Sequence, residues 1–245
     1  MGIDVLSTVG DSFSTLFRNR TVTLFALLGA LVASIYSSMI LSQAQYVHSI
    51  SSIGPLPTAI LPFITSVIGP ILGDIIVVYL VDVFIVGSVL SATIDTRKDV
   101  AAAARHSISR YITLIITLIA VGVAVGIGSL LFVIPGIYFF VRLYLAPVEV
   151  MSGKKGVVDS IKSSWAITEG NFWGILFSVI VMFIAVYIIS LVFGVIFGLL
   201  GLVAIGTFIS TFFAYAFYVL LVKIRQQISG PVAPAVASRK SGSKK

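Results

Sequence analysis

Long apolar intervals between clusters of basic residues dominate the pattern of hydrophobic and polar positions along the chain. These intervals cover residues 21–96, 111–153 and 163–222, and they contain a single basic residue, Arg142. A membrane-spanning helix needs about 20 apolar residues, so each interval is long enough for two crossings. The pattern therefore predicts six transmembrane helices, at residues 22–42, 72–94, 111–133, 135–150, 172–196 and 202–223.

The predicted helices group into three hairpin units, at about residues 1–95, 96–150 and 151–228. Each unit starts with apolar residues at positions i, i+1, i+4 and i+8, a spacing that places them on one stripe of an α-helix. They are Val5, Leu6, Val9 and Phe13, then Val100, Ala101, Ala104 and Ile108, then Val157, Val158, Ile161 and Trp165. We expect an amphipathic helix on the cytoplasmic surface before each hairpin. The shared spacing indicates either an internal repeat or only the amphipathic character that such connections commonly have.

The basic residues also predict the orientation of the chain. Of the 16 Lys and Arg residues, all except Arg142 lie on one side of the predicted helices, and the positive-inside rule assigns that side to the cytoplasm. We therefore expect a multi-pass protein of the cell membrane with both termini in the cytoplasm. The basic tail at residues 229–245 is predicted to be disordered. The outer segment at residues 43–71 contains four prolines, and we expect it either to re-enter the membrane or to lie along the interface.

Composition supports a membrane protein. Hydrophobic residues make up 58% of the 245 positions and charged residues 10%, with a mean hydropathy of +1.14. Soluble domains carry about 25% charged residues, so this chain lacks the polar side chains that would cover its surface in water. Together with the helical pattern, the composition predicts an all-α integral membrane protein.

The formal net charge of +7 belongs to the predicted cytoplasmic face. Such a face attracts anionic lipid headgroups, and we expect Lys154, Lys155 and Lys162 to contact them. Nucleic acid is not an expected partner, because topology already requires these charges.

A membrane protein partner or a homo-oligomer stays open. Two pairs of glycines are spaced for close helix contact, either within the monomer or between copies: Gly122 with Gly126, and Gly194 with Gly198.

Charged residues inside the predicted membrane segments are the main candidates for a site, because each costs about 2.5 to 3.5 kcal/mol in a bilayer. At 1.5 Å per residue, Asp82 and Arg142 differ in depth by about 5 Å, within reach of an arginine side chain. We therefore expect an Asp82–Arg142 pair, with Asp74 and Glu149 as a possible additional polar site. The pair has either a structural role or a role in substrate or proton coupling; alternatively, Arg142 extends to the inner surface.

Residues for catalysis, metal binding or a cofactor are scarce. The chain has no cysteine, which excludes disulfides and thiolate sites. Its two histidines, His48 and His106, are predicted on opposite sides of the membrane, so they cannot share a site. No known catalytic or nucleotide-binding motif is present. We therefore expect a protein that is not an enzyme and that needs no metal or cofactor.

Residues 134–176 contain Pro135-Gly136-Ile137, Arg142, Ala146-Pro147, a basic turn and the pattern S-W-x-x-T-x-G-N-x-W. This combination resembles a multi-pass membrane family that includes the membrane domain attached to some bacterial glycerophosphodiester phosphodiesterases, together with stand-alone bacterial and archaeal proteins of unknown function. The resemblance implies a six-helix membrane domain with a cytoplasmic motif at Trp165, Gly170, Asn171 and Trp173. Nothing in the chain corresponds to the soluble phosphodiesterase domain.

Two functions fit these expectations. The first is a non-enzymatic membrane scaffold or accessory protein that acts through lipid or partner contacts at its basic cytoplasmic face. The second is a permease for a small solute or a lipid-like molecule, with Asp82 and Arg142 lining a central cavity. The small number of intramembrane charges and the short outer turns favour the first.

Overall fold

The computed structural model describes residues 3–51, 69–153 and 155–230, with the backbone alone at residues 40–51 and 69–71. This part of the chain forms ten α-helices and no strands. They are α1 (Val5–Arg18), α2 (Arg20–Ser51), α3 (Gly69–Ile94), α4 (Val100–Leu131), α5 (Val133–Leu143), α6 (Ala146–Ser152), α7 (Val157–Thr168), α8 (Phe172–Leu199), α9 (Val203–Ala214) and α10 (Ala216–Ser229). Lys154, the tail from residue 231 onward and residues 52–68 of the predicted outer segment lie outside the described residues.

Six helical segments of this part are long and apolar enough to cross a membrane. They are Arg20–Met39, Leu72–Ile94, Val100–Leu131, Val133–Ser152, Phe172–Leu199 and Val203–Ser229. The predicted all-α class with six membrane-spanning segments is confirmed at this level. The grouping into three hairpins and the internal repeat stay predictions.

Local sequence signals explain where the helices break. Asn19 separates α1 from α2, and Gly170, with a φ of +79° that favours glycine, separates α7 from α8. The fourth spanning segment consists of α5 and α6, and Pro147 lies in the first turn of α6. Proline has no backbone N–H to donate to the preceding turn, which explains the break.

The second unit differs from the expectation. A separate surface helix was predicted before the third span, but α4 runs without a break from Val100 to Leu131. The side chain of Asp99 caps it by accepting a hydrogen bond from the backbone N–H of Ala102, at 2.7 Å. Residues 101–104 are four alanines, the strongest helix formers, and no breaking residue follows them. The surface segment and the span therefore form one helix.

The core lies where α3, α6 and α10 meet. Helix α3 packs against α2, α4, α6 and α10, while α1 packs against α10 and α8. The largest fully buried apolar side chains include Ile85 and Leu90 of α3, Met151 of α6, and Leu220 and Ile224 of α10. Lipid tails are as apolar as leucine, so helix association in a membrane depends on close packing and interhelical hydrogen bonds. Both are concentrated in this part of the molecule.

The glycines paired in the sequence differ in their contacts with neighbouring helices. A Cβ atom on Gly122, Gly126, Gly194 or Gly198 would meet no atom of a neighbouring helix within 4 Å, but the Cα of Gly194 lies 3.6 Å from the position of a Cβ on Gly206 of α9. The close approach between α4 and α5 instead occurs at Gly136, where a Cβ would lie 2.9 Å from the Cα of Ser129. The packing role within the monomer therefore stays a prediction for these pairs, with one close approach at Gly194, and contact between copies stays a prediction as well.

Candidate functional site

Asp82 lies on α3 and is bonded to a tyrosine. The hydroxyl of Tyr215 donates a hydrogen bond to Oδ1 of Asp82 at 2.8 Å. Tyr215 occupies the break between α9 and α10. Gly29 of α2 makes room for its ring, because a Cβ at this position would lie 2.0 Å from the tyrosine oxygen. Three spanning segments therefore meet at this hydrogen bond.

Arg142 lies between two aromatic rings. Its guanidinium carbon is 5.3 Å from the ring centroids of both Tyr138 and Trp165. Its Nε donates to the hydroxyl of Tyr138 at 3.2 Å, and its Nη1 donates to the carbonyl of Trp165 at 3.5 Å. Cation–π contacts of this kind contribute about 0.5 to 2 kcal/mol each. The guanidinium group of Arg142 therefore has two aromatic rings, a hydroxyl and a carbonyl group as partners.

The predicted Asp82–Arg142 pair is wrong. Within the described residues, Asp82 bonds to Tyr215 and Arg142 bonds to Tyr138 and Trp165. Neither residue takes part in the ion pairs that Glu149 forms with Lys155 and Arg225. The number of residues from the helix ends placed the two side chains at similar depths in the membrane. Depth alone does not determine the helix face on which a side chain lies.

The backbone at Arg142 is held by residues of the S-W-x-x-T pattern on α7. The broken helix leaves the carbonyl of Arg142 with two side-chain donors, Ser164 Oγ at 2.8 Å and Thr168 Oγ1 at 3.3 Å, both on α7. Trp165 lies between these two residues and contacts the Arg142 side chain. In the sequence, Arg142 and the S-W-x-x-T pattern were parts of one resemblance, without a predicted contact between them. The structure brings them together as one packing unit.

The rest of the motif forms the turn into α8. Gly170 adopts its positive φ there, and Asn171 precedes the first residue of α8, where its carbonyl accepts from the N–H of Ile175. Trp173 is 66% exposed and stacks on Phe177, with the ring centroids 6.0 Å apart. The two tryptophans of the motif therefore differ: Trp165 is half-buried against Arg142, and Trp173 is exposed.

Glu149 is the centre of a buried polar cluster. Its side chain is fully buried and accepts hydrogen bonds from Lys155, from Ser163 Oγ at 2.7 Å and from Arg225 Nε at 3.0 Å. Arg225 also donates to the carbonyl of Gly230 at 3.1 Å. The cluster connects α6, α7 and α10 at one end of the bundle. Glu149 was predicted as part of a polar site, but Arg225 was not.

This cluster includes Lys155, one of the expected lipid contacts. The ammonium group of Lys155 bonds to Glu149 and to Ser163, and its side chain is 39% exposed. The contact of Lys155 with lipid headgroups stays a prediction. Lys162 is exposed on α7, and its lipid contact stays a prediction, whereas Lys154 lies outside the described residues.

Asp74 and Asp82 line two adjoining cavities between α2 and α3. The cavity at Asp82 has a volume of about 330 Å³, and the cavity at Asp74 has a volume of about 290 Å³. Both are lined by Val32, Tyr36 and Val78. The two carboxylates are eight residues apart on α3, which corresponds to about 12 Å along the helix axis.

A larger cavity lies where α1, α2, α3 and α10 come together. Its volume is about 780 Å³, and its lining combines three cations, one carboxylate and several polar side chains. The lining residues are Asp11, Ser14, Thr15, Arg18, Asn19, Arg20, Thr21, Thr93, Ile94, Thr96, Lys223 and Gln226. We call this the basic cavity. The sequence predicted a basic surface but not a cavity, because its residues come from four helices.

Lys98 lies next to the basic cavity, in the connection between α3 and α4. Its carbonyl accepts a hydrogen bond from Thr21 Oγ1 at 3.1 Å, and its ammonium group donates to Ser91 Oγ at 3.1 Å. Burial lowers the pKa of Lys98, and the nearby carboxylate of Asp95 partly offsets this shift. Among the described residues, no three His, Cys, Asp or Glu side chains are grouped as metal ligands.

Comparison of the chain with protein-family models, with curated proteins and with solved structures finds no match. The similarity of residues 134–176 to the membrane domain of glycerophosphodiester phosphodiesterases therefore stays a prediction. The geometry of the cavities and of the intramembrane charges is the basis for a proposal about function.

Proposed function

We propose that the protein is a non-enzymatic integral membrane scaffold or accessory protein that works through lipid or partner contacts at a basic cytoplasmic face. The observation that carries this proposal is the use of the charges inside the spanning segments. Asp82 bonds to Tyr215, Arg142 lies between aromatic rings, and Glu149 is bonded to two cations. Each of these charges holds helices together. A coupled transporter would instead need charges that bind and release a substrate.

In the proposed orientation, the protein lies in the cell membrane. The inner ends of the three hairpins and both termini face the cytoplasm. Helices α1 and α7 each precede a spanning segment, which supports surface helices in the first and third units. The basic residues near these helices support an inner face that contacts anionic lipid.

The orientation can be tested by cysteine labelling, because the chain contains no cysteine. Asp159 of α7 is exposed, so a cysteine there serves as the inner position. A cysteine at Ser52 is expected to react with a membrane-impermeant thiol reagent added to intact cells, whereas a cysteine at Asp159 reacts only after the cells are permeabilised. Labelling of Asp159→Cys in intact cells would contradict the proposed orientation.

The lipid contact can be tested on protein extracted from its native membrane into polymer-bounded nanodiscs. We expect anionic lipids to be enriched around the protein by several-fold over the bulk membrane, because each cation near the surface contributes about 1 kcal/mol to their attraction. Lipid analysis by mass spectrometry measures this ratio. A six-helix membrane protein with a neutral inner face, extracted in parallel, gives the baseline. A lipid composition equal to that baseline would remove the lipid part of the proposal.

A second candidate function is a permease for a small solute or a lipid-like molecule. The specific observation in its favour is the cavity of about 330 Å³ beside Asp82. A permease requires water to reach this cavity from one side. Val78→Cys, which places a thiol in the cavity lining, should therefore react with a small water-soluble thiol reagent in a permease. It should stay unreactive in a scaffold whose cavity is closed by lipid or protein.

A further inference from the structure

We propose that the basic cavity binds the phosphate group of an anionic lipid headgroup, with Arg18, Arg20 and Lys223 as its ligands. This inference rests on the proposed function, because it names one binding site within the basic inner face. Its cations differ from the three expected lipid contacts at Lys154, Lys155 and Lys162.

The position of the cavity favours a ligand at the membrane surface. Arg20 is the first residue of the first spanning segment, Ile94 is the last residue of the second, and both line the cavity. Lys223 belongs to the last turns of the sixth segment. The cavity therefore lies at the depth where spanning helices end. Lipid phosphates occupy this depth, between the hydrocarbon core and water.

The charges of the cavity remain available to a ligand. Neither Arg18, Arg20 nor Lys223 forms an ion pair with any residue in the described part of the chain. The cavity lining contains three cations and one carboxylate, Asp11, which leaves an excess of two positive charges. The cations of the Glu149 cluster differ in this respect, because Lys155 and Arg225 are both paired with the buried carboxylate.

Hydrogen bonds fix the cavity wall between the two arginines. Oδ1 of Asn19 accepts from the backbone N–H groups of Thr21 and Val22, at 3.1 and 3.3 Å. Nδ2 of Asn19 donates to the carbonyl of Ala92 at 3.1 Å. Asn19 thus holds the start of α2 against the end of α3. Arg18 and Arg20, which flank it, are therefore presented from a rigid backbone.

The residue types match phosphate chemistry. A guanidinium group forms paired hydrogen bonds with phosphate oxygens, and lysine adds a compact point charge. A volume of about 780 Å³ also falls within the usual range of ligand sites, about 300 to 1,000 Å³. The cavity can therefore accept a headgroup together with its phosphate.

The test titrates the full-length protein, in a neutral detergent, with a short-chain phosphatidic acid, and follows binding by the rise in unfolding temperature. Arg18→Gln and Lys223→Gln are each expected to weaken apparent affinity by about fivefold, from about 1 kcal/mol per cation and 1.4 kcal/mol per tenfold change. Asp11→Asn removes the opposing charge and is expected to tighten binding by a similar factor. A gain in affinity of this kind cannot result from misfolding.

Matched controls are Arg105→Gln and Lys162→Gln, which remove exposed cations outside the cavity. They are expected to change affinity by less than about twofold, since neither residue lines the cavity and salt screens exposed charges that do not touch the ligand. Equal weakening in both sets of variants would overturn the specific site, while the proposed lipid-binding face would stand. No binding of phosphatidic acid by the unaltered protein would overturn both.

The source of the phosphate is decided in the same experiment with inorganic phosphate and with short-chain phosphatidylcholine. Phosphatidylcholine carries a compensating cation, so we expect it to bind much more weakly than phosphatidic acid. Inorganic phosphate is expected to compete only at much higher concentration, because it has no acyl chains to partition to the membrane edge. If inorganic phosphate binds as tightly and depends on the same residues, the ligand is free phosphate and the lipid assignment is wrong.

Discussion

Replacing Glu149 with glutamine is expected to lower the free energy of unfolding by about 3 kcal/mol. Removing one partner of a buried ion pair typically costs about 3 to 5 kcal/mol, because the other charge is left without compensation. We expect the lower end of that range because the Lys155 side chain is 39% exposed and can turn toward water. The Arg225 side chain is only 15% exposed and would be left without its carboxylate partner. Reversible unfolding in mixed detergent micelles measures the change.

A matched control for this variant is Glu169→Gln, which removes an exposed carboxylate. A surface change of this type usually alters stability by less than about 0.5 kcal/mol. Arg225→Gln should also destabilise the protein, and the double variant with Glu149→Gln should lose less than the sum of the two single losses, because the residues are coupled. Simple additivity of the single losses would show that Glu149 and Arg225 do not form the pair described above.

Replacing Gly29 with alanine is expected to have an effect of similar size, about 3 kcal/mol. The added Cβ would lie 2.0 Å from the hydroxyl oxygen and 2.3 Å from the Cζ of Tyr215, so the ring must move. Overpacking costs about 1 to 3 kcal/mol. Moving the ring also breaks the hydrogen bond to the half-buried Asp82, and loss of the donor to a buried acceptor costs about 1 to 3 kcal/mol. The same unfolding experiment measures the loss.

Gly122→Ala is the matched control, since a Cβ there would meet nothing within 4 Å. Alanine is favoured over glycine inside a helix by about 0.5 to 1 kcal/mol, so this variant should be as stable as the unaltered protein or slightly more stable. Tyr215→Phe, which removes only the hydroxyl, separates the hydrogen bond from the steric effect. If Gly29→Ala and Gly122→Ala behave alike, the close contact between α2 and Tyr215 is not present.

The positions of the helix breaks could be predicted only in part from the sequence. Asn19 and Gly170 carry local signals for a helix end, and α1 and α7 end just before them. The boundary expected before the third span was wrong because the four alanines at residues 101–104 continue the helix. The sequence could also have identified Tyr138 as a partner of Arg142, since residues four apart lie on the same helix face. The two side chains are in contact.

The sequence alone determined the six spanning segments, because apolar length and the absence of charge are properties of a continuous stretch of chain. It also identified Asp82, Arg142 and Glu149 as costly charges that need partners. Only the tertiary structure decided those partners. Tyr215 is 133 residues from Asp82, and Arg225 is 76 residues from Glu149. Residue spacing gives the depth of a side chain in the membrane, but the rotation of each helix about its axis, which selects the neighbour, is set by packing between helices.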